Sequence, residues 1–291
     1  MTTTRRDFLK YSGLFLTSLY LGCEKRIQVD DQINEINEEE ELITYFKAKG
    51  YKLYPKKDLI TEHEFNGGLR YDEGTDETHP GKWMRMQNCG RIEDIANMDN
   101  QGILAYFHIL GIKNDNPTYE GEMLSEILNY FINVAGLDPN KIVLVSTHWL
   151  NPYRTHIDKF NISQEQIIIR PYREVVDKGD GSGLFAVEGH PYNLYIPCVS
   201  IHYIFNEKHT TPKTTHHYVR HMELAEIMLN VGPNQENNTD YAGIGIERIR
   251  MAKGQKINSY QQSKNQLKLA LEKESKIRNV PLPKAYESFN F

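Results

Sequence analysis

The chain has 291 residues, of which 39% are hydrophobic and 25% are charged, and its formal net charge at pH 7 is -5. This composition is typical of a globular protein and excludes collagen-like, coiled-coil and largely disordered chains. The acidic balance argues against a general nucleic-acid binder, which needs a basic surface to neutralise phosphates. The three cysteines, Cys23, Cys89 and Cys198, are too scattered for a disulfide framework or a cysteine-rich zinc site.

The N-terminus has the pattern of an export signal. Arg5 and Arg6 precede an apolar run, 11–21, that is too short to cross a bilayer as a helix but suits a signal h-region. Gly22-Cys23 at the end of this run is similar to a lipoprotein processing site. We therefore expect export by a twin-arginine route and a membrane tether through Cys23. The alternative is an N-terminal helix that packs on the domain or frays, in which case the protein stays in the cytoplasm.

Helical and strand-like patterns follow each other along the rest of the chain. The spacing of apolar residues between 42 and 51 predicts a short helix that is closed by Gly50. The spacing at 123–135 predicts another helix, which is stopped by Gly136. The stretch 257–277 is polar and helical. Short apolar or aromatic runs typical of strands occur at 142–145, 167–169 and 193–205. The variable connections between these strands favour a mixed α+β domain over a regular βαβ array.

Two patterns that could bind ligands also have simple structural explanations. The glycine-rich segment 179–183 predicts a turn, because no lysine follows it as in a P-loop. His217 and His221 would form a metal pair on a helix, but on a strand they would lie about 13 Å apart. The segment 222–229 fits either a helix or a strand.

A hairpin-like region contains the residue types that bind a nucleotide. Residues 84–91 alternate like a strand and include Arg85 and Arg91, and Phe107 follows in a second such stretch. Arginines supply charge for phosphates, and an aromatic ring supplies a face for adenine. The alternative is an ordinary hairpin with surface arginines and a core phenylalanine.

A second region with residue types that could bind a nucleotide lies closer to the C-terminus. Gly243 and Gly245 precede Arg248. Glycine permits close backbone approach, and arginine binds phosphate through two parallel hydrogen bonds or stacks on a base. The alternative is a tight turn that leads into a helix with a surface arginine.

The order of these segments resembles the catalytic core of the alanyl-tRNA synthetases, a family of class II aminoacyl-tRNA synthetases. The similarity is collinear over about residues 41–250. Gln87-Asn88-Cys89-Gly90-Arg91 resembles motif 2 of the family, and Gly243–Arg248 resembles motif 3. The other similar segments are 45–51, 65–69, 106–111, 137–141 and 197–198.

The resemblance implies a class II synthetase-like α+β fold, with a mainly antiparallel central sheet flanked by helices. The catalytic core would occupy 41–250. A signal at 1–23 and a linker at 24–40 would precede the core, and a helical C-terminal tail at 251–291 would follow it. Motif 1 of this class usually forms a dimer interface, but the oligomeric state stays open.

By the same resemblance the chain would bind ATP and Mg²⁺. Arg91 would contact the α-phosphate, Phe107 would lie under adenine, and Arg248 would cover adenine and reach the γ-phosphate. Glu223 and Glu226 would hold Mg²⁺, which prefers oxygen ligands. Further nucleotide contacts would come from Arg85, Tyr106, Gly243 and Gly245.

The implied activity is ATP-dependent activation of an amino acid, alanine or another small acid, to an acyl-adenylate, with Arg91 and Arg248 as catalytic residues. The stretch after Arg248 is too short for the tRNA-recognition and editing domains of the family. We therefore expect the acceptor to be a carrier, a small molecule or a minimal RNA.

Several departures from the family pattern leave other functions open. Glu226 stands where the family has asparagine, and Ala225 replaces a tryptophan that walls the amino-acid pocket. Tyr241 stands where the family has an acid, with Asp240 one position away, and the motif 2 loop lacks a lysine and a histidine. The alternatives are a non-catalytic nucleotide- or amino-acid-binding module and an exported lipoprotein derived from the synthetase fold.

Overall fold

The computed structural model describes residues 28–61, 64–65, 81–90, 104–115, 117–147, 150–173, 175, 183–186, 195–204, 221–229 and 239–289. The chain divides into two compact units, Met1–Asn37 and Glu38–Phe291. In the described ranges no helix is both long and apolar enough to cross a membrane. The predicted export signal and the lipid site at Cys23 lie outside the described residues.

Most of the described strands form one sheet. The strands are β1 (Lys52–Tyr54), β2 (Ile60–Thr61), β3 (Glu64–Phe65), β4 (Lys82–Gly90), β5 (Tyr106–Asp115), β6 (Ile142–Ser146), β7 (Ile167–Ile169), β8 (Leu184–Ala186), β9 (Tyr195–Ile204), β10 (His221–Met228) and β11 (Thr239–Gly245). The order across the sheet is β1-β4-β5-β11-β10-β9-β6-β7, and β8 pairs with β9 beside this path. β2 and β3 form a separate antiparallel pair.

The sheet is antiparallel from β4 to β6. Only the two outer strands of the described path, β1 and β7, pair in parallel, with β4 and β6. The predicted α+β fold with a mainly antiparallel central sheet is therefore confirmed. The segment that fitted either state, 222–229, forms most of strand β10, which begins at His221, and His217 lies outside the described residues.

The helices flank this sheet. They are α1 (Gln28–Ala48), α2 (Glu122–Asn129), α3 (Arg154–Ile157), α4 (Ile246–Ala252) and α5 (Tyr260–Arg278), and a π-helical turn at Tyr130–Val134 continues α2. The predicted linker at 24–40 is helical from Gln28 onwards, because the stretch has no glycine or proline and its glutamates are good helix formers. Gly50 and Gly136 follow their helices with φ of 89° and 75°, a conformation that glycine adopts without strain.

One face of the sheet, named the core face here, packs against the helices. The register aligns one buried apolar side chain from each strand across the sheet, namely Met86, Leu110, Ile244, Ala225, Ile201 and Leu144. Leu42 and Phe46 of α1 and Met123 and Ile127 of α2 belong to the same cluster and are fully buried. Since side chains alternate along a strand, the residues between these positions face the other side, named the cleft face.

The predicted C-terminal tail is anchored to the rest of the domain. Leu267 and Leu271 of α5 are fully buried in a second apolar cluster with Leu59 and Ile60. Glu274 of the same helix accepts hydrogen bonds from the backbone N–H groups of Leu59 and Ile60, at 3.0 and 2.8 Å. The segment 260–278 is therefore a structural part of the domain that contains the sheet.

Candidate functional site

One row of residues crosses the cleft face and carries no side chains at its centre. Arg85 of β4 pairs with Gly111 of β5, which in turn pairs with Gly243 of β11. Gly243 pairs with Glu226 of β10. Neighbouring strands lie about 4.8 Å apart, so roughly 14 Å separates the backbone of Arg85 from that of Glu226. Bare glycine backbone between two ionisable side chains allows a ligand to approach the sheet closely.

Arg248 lies over this face because α4 begins directly where β11 ends. Gly245, the last residue of β11, is two positions from Gly243 and therefore on the same face. A Cβ atom at Gly245 would lie 3.4 Å from Cδ and 3.7 Å from Cβ of Arg248. The aliphatic stem of the arginine therefore crosses the cleft face at Gly245, and 32% of its side chain is exposed.

A β-bulge in β10 brings Glu223 to Arg248. The pairing of β10 with β9 shifts between Glu223 and Ala225, and the pairing of β10 with β11 begins only at Ala225. The Glu223 carbonyl therefore lies outside the ladder with β11, and it accepts a hydrogen bond from Nη1 of Arg248 at 2.9 Å. The same Nη1 lies 3.2 Å from Oε1 of Glu223. Both the backbone and the carboxylate of Glu223 thus hold the guanidinium.

Glu226 has its own partner on the β9 side of the cleft face. The Sγ of Cys198 donates a hydrogen bond to Oε1 of Glu226 at 3.0 Å, and Ser200 stands directly opposite Glu226. Burial raises the pKa of the Cys198 thiol well above its ordinary value, and the carboxylates of Glu226 and Glu223 raise it further. The thiol therefore stays protonated and acts as a donor rather than as a nucleophile.

Hydrogen bonds of His108, the neighbour of Phe107, connect strand β5 to the helix that carries Arg248. Phe107 lies two positions from Ile109, the partner of Gly245, so it shares the cleft face. The backbone N–H of His108 donates to Oε2 of Glu247 at 3.0 Å, and its Nδ1 lies 2.6 Å from Oε1. Because Glu247 directly precedes Arg248, these bonds fix the strand of Phe107 relative to the arginine.

The other residues that were predicted to contact the nucleotide are less accessible from the cleft face or lie outside it. Arg85 is 7% exposed; its Nε donates to the carbonyl of Pro55 at 2.9 Å and its guanidinium lies 5.6 Å from the centroid of the Trp83 ring. Tyr106 lies on the opposite face from Phe107, where it packs against the cluster that includes α5. Of these two neighbours, Phe107 is therefore the one that faces the cleft. Arg91, the predicted α-phosphate ligand, lies outside the described residues.

Of the positions where the chain departs from the alanyl-tRNA synthetase pattern, Ala225 is turned towards the core and Tyr241 lies on the cleft face. Ala225 is 2% exposed and belongs to the main apolar cluster. Asp240 pairs with Asn114 on the core face, whereas Tyr241 occupies the cleft face beside Nζ of Lys113, at 5.8 Å. The small side chain of Ala225 therefore does not widen the cleft, contrary to the reading of Ala225 as the lost wall of a pocket.

The two glutamates of the cleft face, Glu223 and Glu226, suit a metal ion that binds as a complex with a ligand. No group of three or more histidine, cysteine, aspartate or glutamate side chains in the described part of the chain could hold a metal ion by itself. Mg²⁺, however, is usually bound through one or two carboxylates together with phosphates and water. The partly exposed carboxylate of Glu223 and that of Glu226 fit this requirement.

Gly183 closes the β9 side of the site. Its N–H donates to Oγ of Ser200 at 3.0 Å, and its carbonyl accepts from Oγ1 of Thr147 at 2.9 Å. Its φ is 84°, and a Cβ atom there would lie 2.8 Å from Cα of Ser146. Gly183 is the one residue of the glycine-rich segment 179–183 that the structure describes. It lies in a turn, as predicted, and it is also a position of close backbone approach.

Gly183→Ala is expected to lower the free energy of unfolding by about 2–4 kcal/mol, because the new methyl group overlaps backbone and φ is positive. Gly50→Ala is the matched control, since Gly50 also has positive φ but no atom within 4 Å of the added Cβ. This control is expected to cost about 1–2 kcal/mol. Urea unfolding measures both values. Equal costs would show that the backbone of Ser146 moves aside.

Sequence patterns missed three residues that matter in this arrangement. Ser200 stands opposite Glu226, and His108 and Glu247 connect Phe107 to Arg248. Their positions depend on strand register and on the start of α4. The alternation of β5 was a usable signal, because it places His108 on the face opposite Phe107.

The sequence matches no protein-family model, and no curated protein is significantly similar to it. Similar solved structures include apo histidyl-tRNA synthetase from S. aureus, with 14% identity over 87% of this chain and 79% of that chain and a TM-score of 0.47. Pyrrolysyl-tRNA synthetase from Desulfitobacterium hafniense has 12% identity over 81% of this chain and 84% of its own, with a TM-score of 0.38. Aspartyl tRNA synthetase from Entamoeba histolytica has 12% identity over 85% of this chain and 63% of its own, with a TM-score of 0.39.

The chain has a class II synthetase-like fold. The strand order and the helices that flank the mainly antiparallel sheet agree with the fold that the sequence resemblance implied. The alanyl branch of the class is not distinguished by this architecture.

Proposed function

We propose that the protein binds ATP on the cleft face and uses it to activate an amino acid or another small carboxylic acid as an acyl-adenylate. The row from Arg85 through Gly111 and Gly243 to Glu226 is the observation that carries this proposal, together with Arg248 above Gly245. Bare glycine backbone lets a ligand lie close to the sheet, and a triphosphate requires a cation beside it.

The proposed reaction joins the acid to the nucleotide. A carboxylate oxygen of the acid attacks the α-phosphorus of ATP, the bond to the bridging oxygen breaks, and pyrophosphate leaves. Phe107 would stack on adenine, and Arg248 would neutralise charge on the γ-phosphate. Arg91 would do the same at the α-phosphate, in keeping with its place in the motif 2 resemblance. Glu223 and Glu226 would hold Mg²⁺, whose charge would help neutralise the leaving pyrophosphate.

The acceptor belongs to this proposal, whereas export belongs to the alternative of a lipoprotein derived from the synthetase fold, because the space outside the inner membrane holds little ATP. We expect the activated acyl group to pass to a carrier, a small molecule or a minimal RNA. Export by the twin-arginine route, with a lipid tether at Cys23, would place the protein outside the cytoplasmic membrane. Fractionation of cells that express tagged wild type and Cys23→Ala tests the location, and a wholly cytosolic, uncleaved wild-type protein would reject export.

ATP–pyrophosphate exchange tests the activity. We expect labelled pyrophosphate to enter ATP only when one acid of a panel of amino acids and small carboxylic acids is present. Calorimetry with ATP on the same preparation shows whether the nucleotide site is formed. Binding of ATP without exchange for any acid would reject activation and favour a nucleotide-binding module.

A further inference from the structure

A polar groove lies on the helix side of the sheet, away from the cleft face. Its volume is about 680 Å³, which is within the range of small-molecule sites in proteins. The end of α1, helix α2 with its π-helical turn and the short turn Asp158–Phe160 line it, together with Lys82 of β4. Lys82 is four positions from Met86 and so lies on the core face. No described residue of the cleft face lines this groove.

The two carboxylates of the polar groove are already paired within the protein. Lys82 contacts Oε1 of Glu122 and of Glu126, at 2.8 and 3.0 Å. The hydroxyl of Tyr51 donates to Oε2 of Glu126 at 2.7 Å. The N–H of Thr118 donates to Oε2 of Glu122 at the same distance. Every oxygen of the two carboxylates therefore has a donor, and the groove offers a ligand few free acceptors.

The donors of the polar groove are, by contrast, available to a ligand. Lys49 and Lys159 line the groove and are exposed, and neither has an ion-pair partner in the part of the chain that the structure describes. The hydroxyl of Ser125, on α2, also has no hydrogen-bond partner among the described residues. Since three lysines and two glutamates line the groove, its formal charge is positive.

The π-helical turn Tyr130–Val134 supplies further donors to the wall of the polar groove. Nδ2 of Asn133 donates to Oδ1 of Asn129 at 2.9 Å, and Nδ2 of Asn129 donates to the hydroxyl of Tyr45 at 2.9 Å. Both amides line the groove, and each retains a second N–H after these bonds. Single π-helical turns within α-helices occur frequently at functional sites. The turn is thus an independent observation that points to a ligand here.

We propose that the polar groove binds a small organic anion with two acidic groups, one at Lys49 and the other at Lys159. Free donors and a positive charge, beside carboxylates that are already paired, favour a ligand that supplies acceptors and negative charge. Carboxylates and phosphates share this chemistry. The groove is separate from the cleft face, so this inference does not depend on the proposed nucleotide site.

Isothermal calorimetry with two probes tests this site on wild type, Lys49→Gln, Lys159→Gln and Lys268→Gln. Citrate carries only carboxylates, whereas phosphoglycolate carries a phosphate and a carboxylate. Each substitution in the groove is expected to weaken binding of the better probe about three- to tenfold, because it removes one charged donor. Lys268 is an exposed lysine of α5 that does not line the groove, so Lys268→Gln is expected to bind as wild type does.

Further controls separate charge, location and folding. The neutral polyol inositol is expected not to bind, and thermal unfolding checks that each variant is folded. Stronger binding of phosphoglycolate would assign a phosphate to the site, and stronger binding of citrate would assign carboxylates alone. No saturable binding of either probe in the millimolar range, or an equal loss in Lys268→Gln, would overturn the inference. Loss of binding in Arg248→Ala but not in Lys49→Gln would also overturn it, and would place the anion on the cleft face instead.

Discussion

Replacing Lys82 by methionine is expected to lower the free energy of unfolding by about 3 kcal/mol or more, because two buried carboxylates would lose their cation. Nζ of Lys82 lies 2.8 Å from Oε1 of Glu122 and 3.0 Å from Oε1 of Glu126. Both glutamates are 8% exposed. The hydroxyl of Tyr51 donates to Oε2 of Glu126 at 2.7 Å, and the N–H of Thr118 donates to Oε2 of Glu122 at the same distance. The network therefore satisfies both carboxylates only while Lys82 is present.

The pH dependence of stability follows from the same contacts. Burial alone would raise the pKa of Glu122, but the bonds from Lys82, Thr118 and Asn114 outweigh it and hold the pKa below 4.5. Burial would lower the pKa of Lys82, yet its two carboxylate partners raise the pKa above 10.5. The stabilisation from Glu122 is present above pH 4.5 and lost as the pH falls through its folded-state pKa. That from Lys82 is present below pH 10.5 and lost as the pH rises through its folded-state pKa.

The variant is expected to lose less stability in acid than the wild type does. Without Lys82, the pKa of Glu122 is lowered less against the effect of burial, so less stabilisation is lost as the pH falls. Urea unfolding at a series of pH values measures this difference. Lys56→Met is the control, because Lys56 pairs with Glu39 at the surface, at 3.1 Å, and exposed pairs contribute less than about 1 kcal/mol. A loss in Lys82→Met as small as in this control would contradict the buried-network explanation.

The fold was more predictable than the contacts within the site. Strands β6, β7 and β9 appear in the sequence as short apolar or aromatic runs, because a strand buried in a sheet needs such side chains. The helix at 260–278 was expected from its pattern and is capped by Ser259, whose Oγ accepts from the N–H of Gln262 at 3.3 Å. By contrast, the start of α1 at Gln28 was not located, since the acidic stretch before residue 42 fitted both a solvated spacer and the first turn of a helix.

The candidate site shows where local patterns stop being informative. Arg248 and Glu223 were both identified, but as a phosphate ligand and a metal ligand rather than as partners of each other. Their contact depends on the bulge at 223–225, and a one-residue shift of register has no clear signature in composition. Tyr106 and Phe107 are neighbours in sequence and were assigned together, yet strand alternation places them on opposite faces.

Arg248→Ala is expected to lower kcat/KM for ATP–pyrophosphate exchange at least 100-fold, about 2.7 kcal/mol in transition-state stabilisation, and to weaken ATP binding. The truncation removes the guanidinium over Gly245 and leaves the carboxylate of Glu223 without its partner. The cleft face therefore loses a positive charge and exposes a negative one where phosphates are proposed to lie. Arg248→Lys keeps the charge but cannot form two parallel hydrogen bonds to phosphate, so an intermediate loss is expected.

Arg154→Ala is the control for Arg248→Ala, because it removes an arginine that lies away from the cleft face. Nη1 of Arg154 donates to Oε1 of Gln164 at 2.7 Å, and its Nε lies 2.6 Å from Asp158, away from the cleft face. This variant is expected to retain wild-type exchange and ATP binding. If Arg248→Ala stayed within threefold of wild type in both assays while folded, the triphosphate would have to bind elsewhere. If Arg248→Lys lost as much as Arg248→Ala, the planar guanidinium rather than its charge would be the feature that the nucleotide requires.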